Sequence, residues 1–291
     1  MNICVIDMGS NSFKRIVGAF HDGRYFQREM TKKTLGVGDD LARHGRISDP
    51  KLAEIEQTLS DFKTACAADG IRRIFAIGTA AFREAPNAGR VAEIAAKLGI
   101  PMQIASAERE SRLAYLVGSL GRDGYAVIDN GSRSIELASK EAGREICFSV
   151  FNLGYRVAFA EFFAGAKDSR TAIAAFRDRL HQETANASFM AGHSRLIGVE
   201  FEEMAEVHFP PAATEGRFIS LAVLQQKVAE IAAADAETFA ALQQKKDIDR
   251  ALPRLVVAAT LVEKFGYDGI ELTARELGTG LIIEAGMGMN P

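Results

Sequence analysis

One short sequence occurs twice in this chain, and its residue types suit phosphate chemistry. Residues 5–12 read Val-Ile-Asp-Met-Gly-Ser-Asn-Ser, and residues 127–134 read Val-Ile-Asp-Asn-Gly-Ser-Arg-Ser. Six of the eight positions are identical, and the two copies begin 122 residues apart. In each copy an apolar run brings an aspartate to a turn of glycine and hydroxyl residues, and a second strand follows. A hairpin of this kind presents backbone N–H groups and hydroxyls, which form a cradle for phosphate oxygens.

The aspartates of the two copies, Asp7 and Asp129, add a ligand that Mg²⁺ prefers, because this hard cation binds carboxylate, water and phosphate oxygens. A single such turn is usually an ordinary hairpin, since Asp, Gly and Ser are common turn residues. Its repetition half a chain away favours a phosphate site. The candidate phosphate ligands in the two turns are Gly9, Ser10, Asn11, Ser12, Gly131, Ser132, Arg133 and Ser134.

Composition and length are those of a globular protein with two lobes. The 291 residues are 47% hydrophobic and 25% charged, which is enough apolar surface for substantial cores. No segment is long and apolar enough to cross a bilayer, and the amino terminus lacks the pattern of a secretory signal, so a cytoplasmic protein without a membrane partner is expected. The three cysteines and five histidines show no disulfide or zinc spacing. A net charge of −3 argues against a nucleic-acid partner.

The predicted elements also follow the same order twice. Three strands near residues 3–7, 13–20 and 24–31 precede a helix from about Asp49 to Ala67, and strands and helices then alternate as far as residue 117. A break at residues 120–124 leads to three more strands, at 125–129, 134–139 and 144–151. The remainder is mainly helical, with short strands near residues 195–198 and 269–272. This order predicts an α/β protein with two lobes, residues 1–124 and 125–291, and a cleft between them.

Residues 7–14, Asp-Met-Gly-Ser-Asn-Ser-Phe-Lys, resemble the first phosphate loop of the exopolyphosphatase and guanosine pentaphosphate phosphohydrolase (Ppx/GppA) family. Further segments resemble family segments in the same order: Gly78–Ala85, Ala105–Leu113, Asp129–Leu137 and Phe151–Val157. The resemblance implies a duplicated actin-like, ribonuclease-H-like fold in its short two-domain form.

The resemblance also implies roles for individual residues. Glu110 matches the glutamate that activates the attacking water, although an acid in the first turn of a helix is by itself an ordinary complement to the helix dipole. Asp129 and Glu136, with Asp7, match carboxylates associated with Mg²⁺. The further residues implied to bind phosphate are Lys14, Thr79 and Arg83. The activity implied is Mg²⁺-dependent release of terminal phosphate from inorganic polyphosphate or a related phosphoanhydride. The implied partner is inorganic polyphosphate or a phosphorylated guanosine nucleotide, and a homodimer is compatible with the sequence.

Several positions depart from the family pattern. Arg109 places a cation next to Glu110, which is expected to lower its basicity. Ser132 and Arg133 replace glycines, so the second loop is expected to approach phosphate less closely, with Arg133 either a new phosphate ligand or an obstruction. Glu200-Phe-Glu202 replaces a Gly-Gly-Thr turn and is expected to repel a phosphate chain. These changes keep open a catalytically degenerate relative that binds a phosphorylated ligand or a partner without turnover, while the missing Gly-Gly-Thr turn disfavours a kinase.

Overall fold

The structure, a computed structural model, describes residues 2–187, 189, 195–210 and 214–289. The chain divides into two compact units. Unit 1 comprises Met1–Gly121 together with Leu277–Pro291, and unit 2 comprises Arg122–Glu276.

Unit 1 is built on a five-stranded mixed sheet in the order β3-β2-β1-β4-β5. Its strands are β1 (Ile3–Met8), β2 (Ser12–His21), β3 (Arg24–Thr34), β4 (Ile74–Gly78) and β5 (Met102–Ile104). Strands β1 to β3 form an antiparallel meander, and β4 and β5 run parallel to β1. Every residue of β1 is buried, as expected for a central strand covered on both faces.

The helices of unit 1 follow the expected pattern with two additions. They are α1 (Val37–His44), α2 (Asp49–Ala68), α3 (Ala80–Glu84), α4 (Ala88–Lys97), α5 (Ala107–Ser119) and, at the end of the chain, α12 (Thr279–Gly286). The Ser48 side chain caps α2 by accepting from the Lys51 N–H, and Pro50 occupies its first turn. The short helices α1 and α3 were not predicted, because each is less than three turns long and carries too few residues to show a period.

Unit 2 repeats the arrangement in a six-stranded sheet with the order β10-β11-β9-β6-β7-β8. The strands are β6 (Tyr125–Asn130), β7 (Ile135–Lys140), β8 (Cys147–Phe151), β9 (Arg195–Val199), β10 (Arg217–Ser220) and β11 (Gly269–Thr273). Strands β6 to β8 form the antiparallel meander, and β9 lies parallel to β6 as β4 does to β1. The predicted duplicated actin-like α/β fold is therefore confirmed.

The helices of unit 2 cover this sheet. They are α6 (Tyr155–Ala158), which continues as a π-helical turn (Phe159–Phe163), α7 (Ser169–Glu183), α8 (Glu202–His208), α9 (Leu221–Ala232), α10 (Ala236–Gln243) and α11 (Ile248–Lys264). Strand β10 corrects the prediction of a single strand between residues 155 and 265. Four residues at the edge of a sheet, with Phe218 exposed, lack the apolar alternation of a half-buried strand.

The final helix corrects the expected division at residue 124, because residues 277–291 belong to unit 1. The Gly278 N–H donates to Asp7 Oδ2 at 3.1 Å. A Cβ added at Gly280 would lie 3.0 Å from the Leu113 carbonyl oxygen, so the backbone of α12 packs directly on α5. These contacts join positions more than 160 residues apart, so no local sequence pattern predicts them. Among the described helices, none combines the length and apolarity needed to cross a bilayer.

Candidate functional site

The first repeated loop joins β1 to β2, and its backbone shape is held by the segment that follows β3. The Gly9 N–H donates to the Ser12 carbonyl at 3.0 Å. The Asn11 carbonyl accepts from Leu35 and Gly36, each at 2.9 Å, and the Ser10 carbonyl accepts from Gly38 at 2.7 Å. The carbonyl groups of Ser10, Asn11 and Ser12 are thus hydrogen-bonded within the protein. These bonds fix the directions of the remaining N–H and hydroxyl groups of the turn.

Asp7 lies at the carboxyl end of β1, beside this loop. Its side chain is buried, and Lys14 is its cross-strand partner on β2. Directly opposed residues of an antiparallel pair share one face of the sheet, so carboxylate and ammonium lie on the same side. The structure thus places a carboxylate and an ammonium group next to the first loop.

Arg83 and Glu110 meet in unit 1 although they follow different strands. Arg83 lies on α3 after β4, and Glu110 lies on α5 after β5. Arg83 Nη1 is 2.8 Å from Glu110 Oε2 and also donates to the Ala105 carbonyl at 2.9 Å. Glu110 is 4% exposed, and the Arg83 side chain is 27% exposed. The ion pair holds the proposed base in one orientation while part of the guanidinium still faces solvent.

The ends of three parallel strands bring these residues to one edge of the sheet. The Thr79 N–H, just after β4, donates to the Met8 carbonyl at the end of β1 at 3.3 Å. The Ala105 N–H, just after β5, donates to the Gly78 carbonyl at 2.9 Å. In open α/β sheets the carboxyl ends of parallel strands are the usual place for a ligand site.

Arg109 binds a carboxylate of the last helix. Its guanidinium binds the carboxylate of Glu284 on α12 with both terminal nitrogens, Nη2 lying 2.5 Å from Oε2. Glu284 is 6% exposed. A bidentate pair of this geometry commits the positive charge of Arg109 to the last helix. The expected effect of Arg109 on the basicity of Glu110 stays a prediction.

The second loop joins β6 to β7 and carries two acids side by side. Asp129 and Glu136 are direct cross-strand partners, and both are buried. The Ser134 hydroxyl donates to Glu136 Oε1 at 2.5 Å. Two buried carboxylates on one face of a hairpin are costly unless a cation or hydrogen-bond donors compensate them.

Polar atoms at the second loop remain unsatisfied by the described protein. Both side-chain polar atoms of Asn130 and the Ser132 hydroxyl are buried and have no hydrogen-bond partner there. Buried polar groups are almost always hydrogen-bonded, so orphaned atoms of this kind point to a ligand, an ion or water.

The amino end of α6 supports the second loop from behind. The N–H groups of Gly154, Tyr155 and Arg156 donate to three successive loop carbonyls, at 3.0, 3.0 and 3.1 Å. A Cβ at Gly154 would lie 2.5 Å from the Arg133 backbone nitrogen. Ser132 and Arg133 are absent from the described non-glycine residues with positive φ. Their replacement of family glycines therefore adds no backbone strain.

Glu200, one of the two acids that replace the family's Gly-Gly-Thr turn, lies in an ion network with its neighbour Glu203. Glu200 keeps a left-handed conformation, with φ of 61°, at a position where the family has glycine. Arg254 Nη2 is 3.5 Å from Glu200 Oε2, and Arg254 Nη1 binds Glu203. Arg250 also binds Glu203, at 3.0 Å. The two arginines offset part of the negative charge of residues 200–203.

Arg254 is a residue that sequence reasoning missed. It is 3% exposed, lies over the Tyr155 ring at 4.4 Å and donates to the Asn130 carbonyl through Nε at 3.3 Å and Nη2 at 3.2 Å. It therefore links the second loop to α6 and α8. The available signal was a pair of arginines, Arg250 and Arg254, at positions i and i+4 of a largely apolar helix.

Burial and the neighbouring charges shift the pKa values of the groups in this network in opposite directions. Burial raises the pKa of Glu203, but the charges of Arg254 and Arg250 prevail and hold that pKa down at about 2. Burial likewise lowers the pKa of Arg254, while Glu203 and Glu200 raise it above the ordinary value. Both partners therefore stay charged at neutral pH, and the network is a set of ion pairs.

The donor set of the second loop fits Mg²⁺. Asp129, Glu136 and the hydroxyl of Ser134 are hard oxygen ligands, and orphaned polar atoms adjoin them. Among the described residues, no three His, Cys, Asp or Glu side chains cluster closely enough to form a complete metal site. Mg²⁺ commonly binds through one or two carboxylates and takes its other ligands from water and substrate phosphates. A partial donor set is therefore what such a site requires.

Comparison with known proteins agrees with this geometry. Residues 25–283 match the model of the Ppx/GppA phosphatase family. The chain belongs to the Ppx/GppA phosphatase family. The predicted family membership is thereby confirmed over most of the sequence.

Individual relatives cover different shares of the chain. A guanosine-5'-triphosphate,3'-diphosphate pyrophosphatase from Vibrio cholerae is 32% identical over 138 residues, which are 45% of this chain and 27% of the relative. The matched region is thus a little over a quarter of that protein. The crystal structure of the Aquifex aeolicus Ppx/GppA family member has a TM-score of 0.83, with 20% identity over 99% of this chain and 98% of that one.

An exopolyphosphatase from Cytophaga hutchinsonii has a TM-score of 0.77, with 18% identity over 100% of this chain and 99% of that chain. At these identities the solved structures establish the shared fold. The assignment of site residues rests on this chain's own geometry and on its motifs.

Proposed function

We propose that the protein is a Mg²⁺-dependent phosphohydrolase that releases terminal phosphate from inorganic polyphosphate or a phosphorylated guanosine nucleotide. The observation that carries the proposal is the buried Glu110, oriented by Arg83 at the edge of the sheet where the first phosphate loop lies. Membership of a phosphatase family supports the reaction class.

In this proposal Glu110 is the general base. A water oxygen attacks the terminal phosphorus and gives a proton to Glu110, while the bond from phosphorus to the bridging oxygen breaks and the shortened phosphate chain leaves with the electron pair. Orientation by a buried ion pair suits this role, because a base must lie within hydrogen-bond distance of the water in a fixed direction.

The loops supply binding and charge. The N–H and hydroxyl groups of Gly9, Ser10, Asn11 and Ser12 bind phosphate oxygens, and Lys14 and Arg83 contribute positive charge. Thr79 adds a hydroxyl, and residues 131–134 form the corresponding cradle in unit 2. Asp129 and Glu136 would hold Mg²⁺, which would neutralise charge on the phosphate oxygens when bound. Asp7 is a further acid beside the first loop.

One observation favours the alternative, a relative that binds a phosphorylated ligand without turnover. Arg83, proposed as a phosphate ligand, is already bonded to Glu110 and to the Ala105 carbonyl. A substrate phosphate would have to share or displace these contacts. The pairing of Glu200 with Arg254 weighs in the other direction, because the arginine offsets the charge of one of the two acids in the altered turn.

A phosphate-release assay distinguishes the hydrolase from the relative that only binds. The assay uses polyphosphate, guanosine pentaphosphate and ATP, each titrated with Mg²⁺, with calorimetric binding measured in parallel. Turnover that requires Mg²⁺ and prefers one phosphoanhydride supports the hydrolase. Binding of the same compounds with no phosphate release at any Mg²⁺ concentration would replace the hydrolase with the binding-only alternative.

A further inference from the structure

A cavity of about 340 Å³ lies in unit 2 among residues that the phosphate loops do not use. The end of α8, strand β10 and helix α9 surround it. Its lining residues include His208, Phe209, Arg217, Gln226, Lys227 and Glu230. None of them belongs to the second loop or to the Arg254 ion network, so the cavity is a separate feature.

Two nitrogen atoms in this lining are buried without a hydrogen-bond partner in the described protein. They are His208 Nε2 and Arg217 Nη1. A desolvated guanidinium N–H with no acceptor is costly, because its donor has lost water and gained nothing. Such atoms are rare in native structures and are usually explained by an ion, water or ligand.

The protonation of His208 determines what its orphaned nitrogen requires. Burial, helped by the charge of Lys227, lowers the pKa of His208 to about 4, so the ring is neutral at physiological pH. The ring also hydrogen-bonds the backbone of Ala251, a contact that raises its pKa and therefore uses the imidazole as donor. Because Nε2 has no partner, the donor is Nδ1, and Nε2 carries the lone pair, on a residue that lines the cavity.

The charged groups in the lining favour an anion. Arg217 lies over the ring of Phe209 at 5.8 Å from its centroid, which leaves the edge of the guanidinium available for an oxyanion. Lys227 pairs with Glu230, and Gln226 Nε2 donates to the same carboxylate at 3.1 Å. Two cations therefore face one carboxylate, and the lining has a net positive charge.

We infer that this cavity is a binding site for inorganic phosphate in the form HPO₄²⁻. Its charged oxygens accept from Arg217 Nη1 and the Lys227 ammonium, and its hydroxyl donates to His208 Nε2. One ion thus gives both unpartnered nitrogens a hydrogen-bond partner and offsets the net positive charge of the lining. Sulfate has the same size and charge but no hydroxyl, so it leaves the His208 lone pair unsatisfied. The inference does not depend on the proposed hydrolase activity.

Nuclear magnetic resonance of the five histidine rings tests the site directly. The ring nitrogens are observed near neutral pH while inorganic phosphate is added, with sulfate at matched ionic strength in a second titration; the His208 signals are assigned through His208→Asn. Phosphate is expected to shift the Nε2 signal of His208 in a saturable way, and sulfate to shift it much less.

Substitutions of the residues proposed to bind phosphate test the site a second way. Arg217→Gln and Lys227→Gln are each expected to weaken phosphate binding about tenfold or more, the effect of a lost charged hydrogen bond. Arg179→Gln is the matched control, because Arg179 is an exposed arginine of the same unit paired with Glu183. Circular dichroism verifies folding, and Lys227→Gln serves alone if Arg217→Gln fails to fold.

Three results would overturn the inference. They are an unchanged His208 signal at saturating phosphate, an equal response to sulfate, and an affinity that Lys227→Gln and Arg217→Gln leave at the level of Arg179→Gln. Because the readout is local to His208, phosphate bound at either loop does not imitate it. Absence of hydrolase activity leaves this test unaffected.

Discussion

At the scale of single residues, the structure changes the meaning of three departures from the family pattern. Arg109 binds Glu284, the acid at Glu200 is paired with Arg254, and Ser132 adopts an ordinary backbone conformation. Each substitution is thus accompanied by a local contact or conformation that accommodates it. The assignment of Glu110 as the general base stays a prediction.

Glu110→Gln is expected to reduce turnover by about 10²- to 10⁴-fold with little loss of substrate affinity, because a general base acts mainly in the chemical step. Glutamine retains the shape and can accept from Arg83, but it cannot take a proton. Phosphate release and calorimetric binding measure the two quantities. Glu108→Gln, an exposed acid on the same helix, should change neither. Equal turnover of the Glu110→Gln variant and the wild type would reject the assignment.

Glu203 should make stability depend on acid pH. Its pKa falls from the ordinary 4.5 to about 2 in the folded protein, so its pairing stabilises fully above 4.5 and is lost as pH falls toward 2. The group's contribution is at most about 3 kcal/mol. Urea unfolding at several pH values should show the wild type losing this increment across that window.

Glu203→Gln should be less stable than the wild type at neutral pH, and the difference should shrink on acidification. Glu206→Gln supplies the control, since Glu206 is an exposed acid of the same helix. A difference that stays constant from neutral to strongly acidic pH would show that the Arg254 network does not depend on the charge of Glu203.

At the scale of elements, each repeated loop is shaped by a segment packed behind it. The chain before α1 holds the first loop, and the amino end of α6 holds the second. Gly154 permits the second contact because it has no Cβ, and a Cβ at this position would overlap the backbone of the loop. The loops were recognisable from their own residues, whereas their supporting segments carry no comparable motif.

Gly154→Ala should therefore damage the second loop. The added Cβ would meet the backbone of Arg133 at 2.5 Å, and backbone cannot yield as a flexible side chain does. A loss of about 1 to 3 kcal/mol in the free energy of unfolding is expected, as for overpacked sites. Chemical denaturation measures it. Gly89→Ala, in open space on α4, should be neutral or slightly stabilising. Equal stability of the two variants would mean that the α6 contact is loose.

At the scale of the whole molecule, the chain leaves unit 1 after Gly121 and returns to it at Leu277. Unit 1 is therefore complete only when the last segment of the chain is in place. The Arg109 and Glu284 pair is the strongest polar contact that holds this segment to α5, since it is bidentate and its carboxylate is buried.

A double-mutant cycle on Arg109→Gln and Glu284→Gln should give a coupling free energy of about 1 to 3 kcal/mol, because a partly buried bidentate pair exceeds the usual surface value. The exposed pair of Glu108 and Arg112 on α5 is the comparison, and its coupling should be about 0.5 kcal/mol or less. Comparable couplings for the two pairs would show that α12 is held by apolar packing alone.

The sequence by itself determined the parts of this protein that local patterns encode. The duplicated strands, the long helix α2 and the two loops follow from hydrophobic period, caps and turn residues within about twenty positions. Asp7 and Asp129 were singled out because they lie in the repeated loops, whereas the predicted roles of Glu110 and Glu136 came from the resemblance to the family. The short elements α1, α3 and β10 were not predicted, since a few residues carry too little pattern.

Tertiary structure decided the charge balance and the composition of the units. Arg109 with Glu284, Arg254 with Glu203 and Gly278 with Asp7 are separated by 175, 51 and 271 positions. No sequence period reports such pairs, and whether a charge attracts or repels a ligand depends on what already neutralises it. For that reason the sequence could locate the acids at Glu200 and Glu202, while only the folded chain showed that arginines offset the negative charge of this turn.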